Sequence, residues 1–149
     1  MLERYLEDFA PGQVYVSGRL RVERDRIKSF AREFDPQPFC LDEQAARGSL
    51  FEGLAASGWH TAAMTMRLLV ASDLKPAGGI VGAGIDDLSW LYPVRPDDEL
   101  QVVGEVLEVQ PSQSRSDQGV VKLKMTTSNQ VGNPVQIATA SLIVRRRPT

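Results

Sequence analysis

Residues Ala55–Ser72 read Ala-Ala-Ser-Gly-Trp-His-Thr-Ala-Ala-Met-Thr-Met-Arg-Leu-Leu-Val-Ala-Ser, a helix-length stretch with one formal charge, Arg67. Nothing else in the chain restricts the fold as much. Ser57, His60, Thr61, Thr65 and Arg67 make the stretch too polar to span a bilayer. A helix apolar nearly all round is instead one buried inside its own protein. The other segments must cover it, and most of them read as strands.

Residues 14–22 alternate, with Val14, Val16, Leu20 and Val22 on one face and Tyr15, Ser17, Arg19 and Arg21 on the other. That is the period of a half-buried strand, with Gly18 as a candidate bulge. Ile27, Phe30, Ala31 and Phe34 then follow helical spacing, and Asp35-Pro36-Gln37-Pro38 stops that helix near Phe34. A short helix is expected over Leu41–Arg47, ended by Gly48. Beyond Ser72 the strand signals resume: Leu88, Trp90 and Tyr92 alternate, Leu100–Val109 is β-rich, Val121, Leu123 and Met125 alternate, and Val135–Val144 is a long apolar run. Four strands joined by short turns imply a largely antiparallel sheet. The class is α+β, with the sheet curled about the apolar helix.

The 149 residues suit a single domain over 1–149, and 17 basic against 19 acidic residues, interspersed, offer no broad cationic face. Neither a nucleic acid nor a membrane is therefore expected as a partner. One cysteine, Cys40, excludes an intramolecular disulfide, and one histidine, His60, excludes most His-rich zinc sites. The acidic opening does not resemble a signal peptide, so a cytoplasmic protein is expected. No P-loop, GxSxG elbow, HExxH or CxxC is present.

Two segments can carry chemistry. Asp35 sits at a helix mouth on a turn stiffened by two prolines and flanked by Phe34 and Phe39. A carboxylate in such apolar surroundings is suited to taking a proton near neutral pH, while the bland alternative is a helix stop. Gly53–His60 leads into the buried helix. Its free N–H groups, with Gly58 allowing close approach, suit a carbonyl or a developing oxyanion; the alternative is a Ser57 N-cap with Gly58 for packing. His60 inside the helix and Cys40 each read first as core residues. Arg145-Arg146-Arg147 reads as a solvated tail that could meet a phosphate.

These segments together resemble the MaoC-like dehydratases, the (R)-specific enoyl-CoA hydratases of the hotdog fold. The family signature, Phe-Ala followed by Asp-x-Asn-Pro-x-His, is similar to Phe30-Ala31-Arg32-Glu33-Phe34-Asp35-Pro36-Gln37-Pro38-Phe39-Cys40. A small-residue segment before the central helix is matched by Ala56-Ser57-Gly58-Trp59, and a strand leading into Pro-Val by Leu88–Asp98. The resemblance covers nearly the whole chain. It implies a curved antiparallel sheet around a long apolar helix, and hydration of a trans-2-enoyl-CoA or the reverse. It makes Asp35 the base and Gly58 the oxyanion donor, with Cys40 in the place of the family histidine. Gln37 replaces the family Asn, and Ser57 replaces a His common before the Gly. Phe39, Ser57, Trp59 and His60 are the implied substrate-binding residues. A thiol orients water poorly compared with imidazole, so weakened activity is expected. The alternatives are an impaired acyl-thioester-binding subunit and, ranked below it, a hotdog thioesterase. The resemblance further implies a homodimer or a multiple of it, an acyl-CoA substrate, and neither cofactor nor metal.

Overall fold

A computed structural model describes residues 2–149. After a 3-10 turn at Leu6–Asp8 come strand β1 (Val14–Arg21) and helices α1 (Arg24–Phe34), α2 (Pro38–Leu41), α3 (Glu43–Arg47) and α4 (Gly58–Val70). Strands β2 (Val81–Trp90), β3 (Glu99–Pro111), β4 (Gln118–Ser128) and β5 (Pro134–Arg145) follow. The five strands form one curved antiparallel sheet in the order β1-β3-β4-β5-β2, as the α+β hotdog expectation requires. Among the described residues no helix is long and apolar enough to cross a membrane.

Helix α4 packs over β1 and β3. Its Met64, Leu68 and Leu69 enter a core shared with Leu100, Val102, Leu123 and Met125. Truncating Leu69 to Ala costs about 2–5 kcal/mol on the scale for filled core sites. Of the polar residues that exclude a bilayer span, Ser57, Thr61 and Thr65 find partners inside. Thr65 Oγ1 lies 2.6 Å from Thr127 Oγ1 and accepts a 3.3 Å bond from Gln136 Nε2. Burial is nevertheless not complete around the helix: Trp59, Met66 and Val70 are exposed along one side. Sheet and α1 cover the other sides and leave this one open.

Three expectations are corrected. Tyr15 and Ser17 point inward, while Val14 and Val16 are exposed. A register shift between Val16 and Arg19 is the cause, because one extra residue reverses which face each following side chain takes. Leu20 and Val22 therefore turn inward, and Ser17 Oγ accepts from Val102 N at 2.9 Å. Next, the succession of short-turn strands fails at β2. It pairs with β5 and not β3, lies at a sheet edge, starts at Val81 and holds no buried residue. The Leu88–Trp90–Tyr92 alternation is thus not the pattern of a half-buried strand. Finally, the single short helix is two, α2 and α3, divided at Asp42, whose side chain caps α3 by accepting from Ala45 N.

Candidate active site

Proline disfavours helical backbone in the residue before it, so α1 ends where Asp35 meets Pro36. Asp35 leaves the helix with φ −157° and ψ 72°, its N–H still bonded to Ala31 O at 2.9 Å. Pro38 then opens α2 in its first turn, where no backbone donor is needed. The carboxylate is thereby set at the mouth of α1, within reach of the start of α4.

Ser57 is the N-cap of α4 and is 1% exposed. Its Oγ accepts from Trp59 N at 3.2 Å and donates to Asp35 Oδ2 at 2.6 Å. One hydroxyl therefore starts the helix and holds the carboxylate. Asp35 Oδ1 has no hydrogen-bond partner among the described residues, and neither has the Gly58 N–H, the first of a 13-residue helix. The dipole of such a helix concentrates positive potential at that N–H.

Aromatic residues enclose these groups. The Trp90 indole lies so close to Gly58 that a Cβ there would meet Cε2 at 2.5 Å, which makes glycine a packing requirement. Trp90 Nε1 donates to Gln136 Oε1 at 2.9 Å, tying the indole through Gln136 to Thr65 and Thr127 in the core. Trp59 meets Trp90 edge-on at 5.2 Å, and Phe39 packs on Phe51 at 4.8 Å. Across the cleft, Arg95 pins the loop after α3. Its Nη1 donates to Leu54 O at 3.2 Å and its Nη2 to Phe51 O. The cleft that the aromatic residues line has a volume of about 230 Å³, and Asp35 is its one charged lining residue among those described. A carboxylate with one free oxygen, an unpartnered N–H and apolar walls can activate water beside a carbonyl whose oxygen becomes negative.

Residues 8–129 match the MaoC like domain family. The chain belongs to that family. The uncharacterized protein YdeM of Bacillus subtilis is 35% identical to it over 95% of this chain and 99% of the relative. The crystal structure of the MaoC-like dehydratase from Rhodospirillum rubrum is 58% identical, covers 98% of this chain and 99% of its own, and superposes with a TM-score of 0.94. The unliganded R-hydratase PhaJ1 of Pseudomonas aeruginosa shares the fold at 23% identity, covering 96% and 86% with a TM-score of 0.77.

In this MaoC like domain, Asp35, Phe39, Gly58 and Trp59 line one cavity, and Ser57 joins them through its bond to Asp35. Cys40 and His60 are not in that lining. Cys40 is fully buried, and burial, with the nearby Asp35 charge, pushes its thiol up to about 11. It stays protonated. His60 projects from another side of α4, stacked on Phe30, and lines a different cavity. Nothing in the sequence alone assigns a role to Phe51, Trp90, Tyr92, Arg95 or Gln136. Trp90 and Tyr92 were visible just before Pro93, but contact with Gly58 depends on the β2–β5 pairing. Among the described residues no three His, Cys, Asp or Glu side chains are placed to hold a metal.

Proposed function

We propose that this protein hydrates trans-2-enoyl-CoA thioesters to (R)-3-hydroxyacyl-CoA, or dehydrates the product. The observation that carries the reading is the free Asp35 oxygen beside the unpartnered Gly58 N–H in one apolar cavity. Asp35 takes a proton from water as the water oxygen bonds to C3. The C2–C3 π pair moves to form the enolate, whose thioester oxygen accepts from Gly58 N–H. The enolate then collapses, and the proton on Asp35 passes to C2. One carboxylate serves both steps, and the thioester stabilises the carbanion, so the reading requires no cofactor or metal. Ser57 holds Asp35 throughout.

A second reading, an acyl-thioester-binding subunit with impaired chemistry, is favoured by the buried, protonated Cys40 where the family signature has His. Loss of enoyl absorbance from crotonyl-CoA, followed with the parent and with Cys40→His, separates the two. Turnover by the parent supports the hydratase; binding without turnover by the parent, with turnover by the variant, supports the subunit. Where the parent turns over, an Asp35→Asn protein as active as the parent overturns the hydratase mechanism. Rapid release of free CoA without a hydrated product would instead mark a thioesterase.

The reading includes a homodimer. Strand β2 leaves one edge unpaired and exposes Val81 and Ile85, while Trp59, Met66 and Val70 are exposed on α4. Unpaired apolar edges are templates for strand pairing. Light scattering is expected to give twice the 16.4 kDa chain mass; a monomer at micromolar concentration overturns this part.

A further inference from the structure

A second cavity, of about 370 Å³, lies between the end of β1, α1 and α4 and shares no lining residue with the Asp35 cavity. His60, Met64 and Arg67 reach it from successive turns of α4, Arg26 from α1 and Leu20 from β1. His60 is nine-tenths buried, its ring stacked on Phe30 at 4.6 Å and 6°. Its Nδ1 is buried and has no hydrogen-bond partner among the described residues. A bare lone pair is tolerated there better than an unsatisfied N–H, which places the proton of the neutral ring on the accessible Nε2. Burial and the Arg26 charge hold the ring's pKa below its ordinary value, which keeps it neutral.

Arg26 and Arg67 take part in no ion pair or side-chain hydrogen bond among the described residues. Arg21, also on the rim, is bound to Asp97 at 2.6 Å. Glu23 is the one acid on the cavity wall. Against that one carboxylate stand three free donor groups, two guanidiniums and one imidazole N–H, next to the apolar side chains of Leu20 and Met64. Donor-only groups of this kind recognise an oxyanion, and guanidinium matches a carboxylate with two parallel bonds.

We propose that this cavity binds the anion of a short-chain organic acid, with the oxyanion held by Arg26, Arg67 and His60 Nε2 and the apolar body against Leu20 and Met64. The site is independent of the Asp35 chemistry and stands whether or not the hydratase reading does.

His60 is the single histidine of the chain, so its ring C–H signals in an NMR spectrum need no assignment. The full-length protein is titrated with sodium butyrate, with sodium acetate and with sodium chloride at matched ionic strength. The expected result is a saturable shift of the His60 signals with butyrate and none with chloride. Two further methylene groups are expected to make butyrate about tenfold tighter than acetate. Arg26→Gln and Arg67→Gln, both at exposed positions, are each expected to weaken butyrate about tenfold or more. Equal shifts with butyrate and chloride, equal affinity for acetate and butyrate, or undiminished binding by both variants overturns the proposal.

Discussion

Helix α4 has a titratable group on each of two sides, and the two are built in opposite ways. On one side Asp35 is gripped at one oxygen by Ser57, leaving the other free in a cavity of about 230 Å³. On the other, His60 is stacked on a ring and has a buried nitrogen with no partner. A short bond to a capped, immobile hydroxyl fixes where a charged group points. Stacking and burial fix a ring equally well but act against its charge. The first arrangement is suited to moving a proton at a set position; the second keeps a proton where it is.

The largest expected effect is on the Asp35 side. Asp35→Asn keeps the shape and removes the base, and hydration of crotonyl-CoA is expected to fall about 10²–10⁴-fold with an unchanged melting temperature. A smaller loss would mean that the two sides differ less in chemistry than in geometry. Gly58→Ala comes next. Its Cβ would overlap the Trp90 indole, and overpacking of this kind costs about 1–3 kcal/mol. A lower melting temperature and a displaced Trp90 fluorescence signal are expected alongside reduced turnover; an unshifted protein would show that the indole moves freely.

Ser57→Ala tests the grip itself. Loss of the N-cap costs about 0.5–2 kcal/mol. Because Asp35 remains but is no longer held, kcat is expected to fall by about tenfold while KM changes little, on the scale of one lost hydrogen bond to a charged group. A change in KM alone would place Ser57 against substrate and not against Asp35.

The smallest effect is on the His60 side and is read as stability against pH. The folded ring has a pKa below its ordinary 6.5, so between those values the unfolded chain binds more protons. Stability is therefore expected to fall as pH drops below about 6.5 and to level off below the folded value. Urea midpoints across that range check it, with His60→Phe expected to remove that part of the slope while keeping the stack. A slope identical in both proteins would show that it does not come from His60.

Much of this site could be read from neighbouring residues. Two prolines end α1 at Asp35, and Ser57-Gly58 opens α4, whatever the rest of the chain does. The bond between Asp35 and Ser57 could not be read in that way, because it joins positions 22 apart. Cys40 illustrates the limit from the other direction. Its place in the signature was plain, but its complete burial is set by the packing of α2 against the rest of the molecule. The exposed Val14 and Val16 show how a correct strand period can yield the wrong face. Alternation fixes neighbours relative to each other, and a one-residue bulge reverses the assignment without altering the composition.

The sequence by itself determined the succession of helical and strand segments, the position of Asp35 at a helix end and a mostly apolar helix within Ala55–Ser72 that must bury most of its surface. Those follow from restricted backbone angles, caps and periodicity, which act over a few residues. Only the tertiary structure decided that β2 pairs with β5 at the sheet edge, that Trp90 closes over Gly58, and that Gln136 anchors it from 46 residues away. It also decided that His60 serves the opposite side of the helix from Asp35. Contacts of this kind depend on which distant surfaces fill one another's space, and no local rule contains that information.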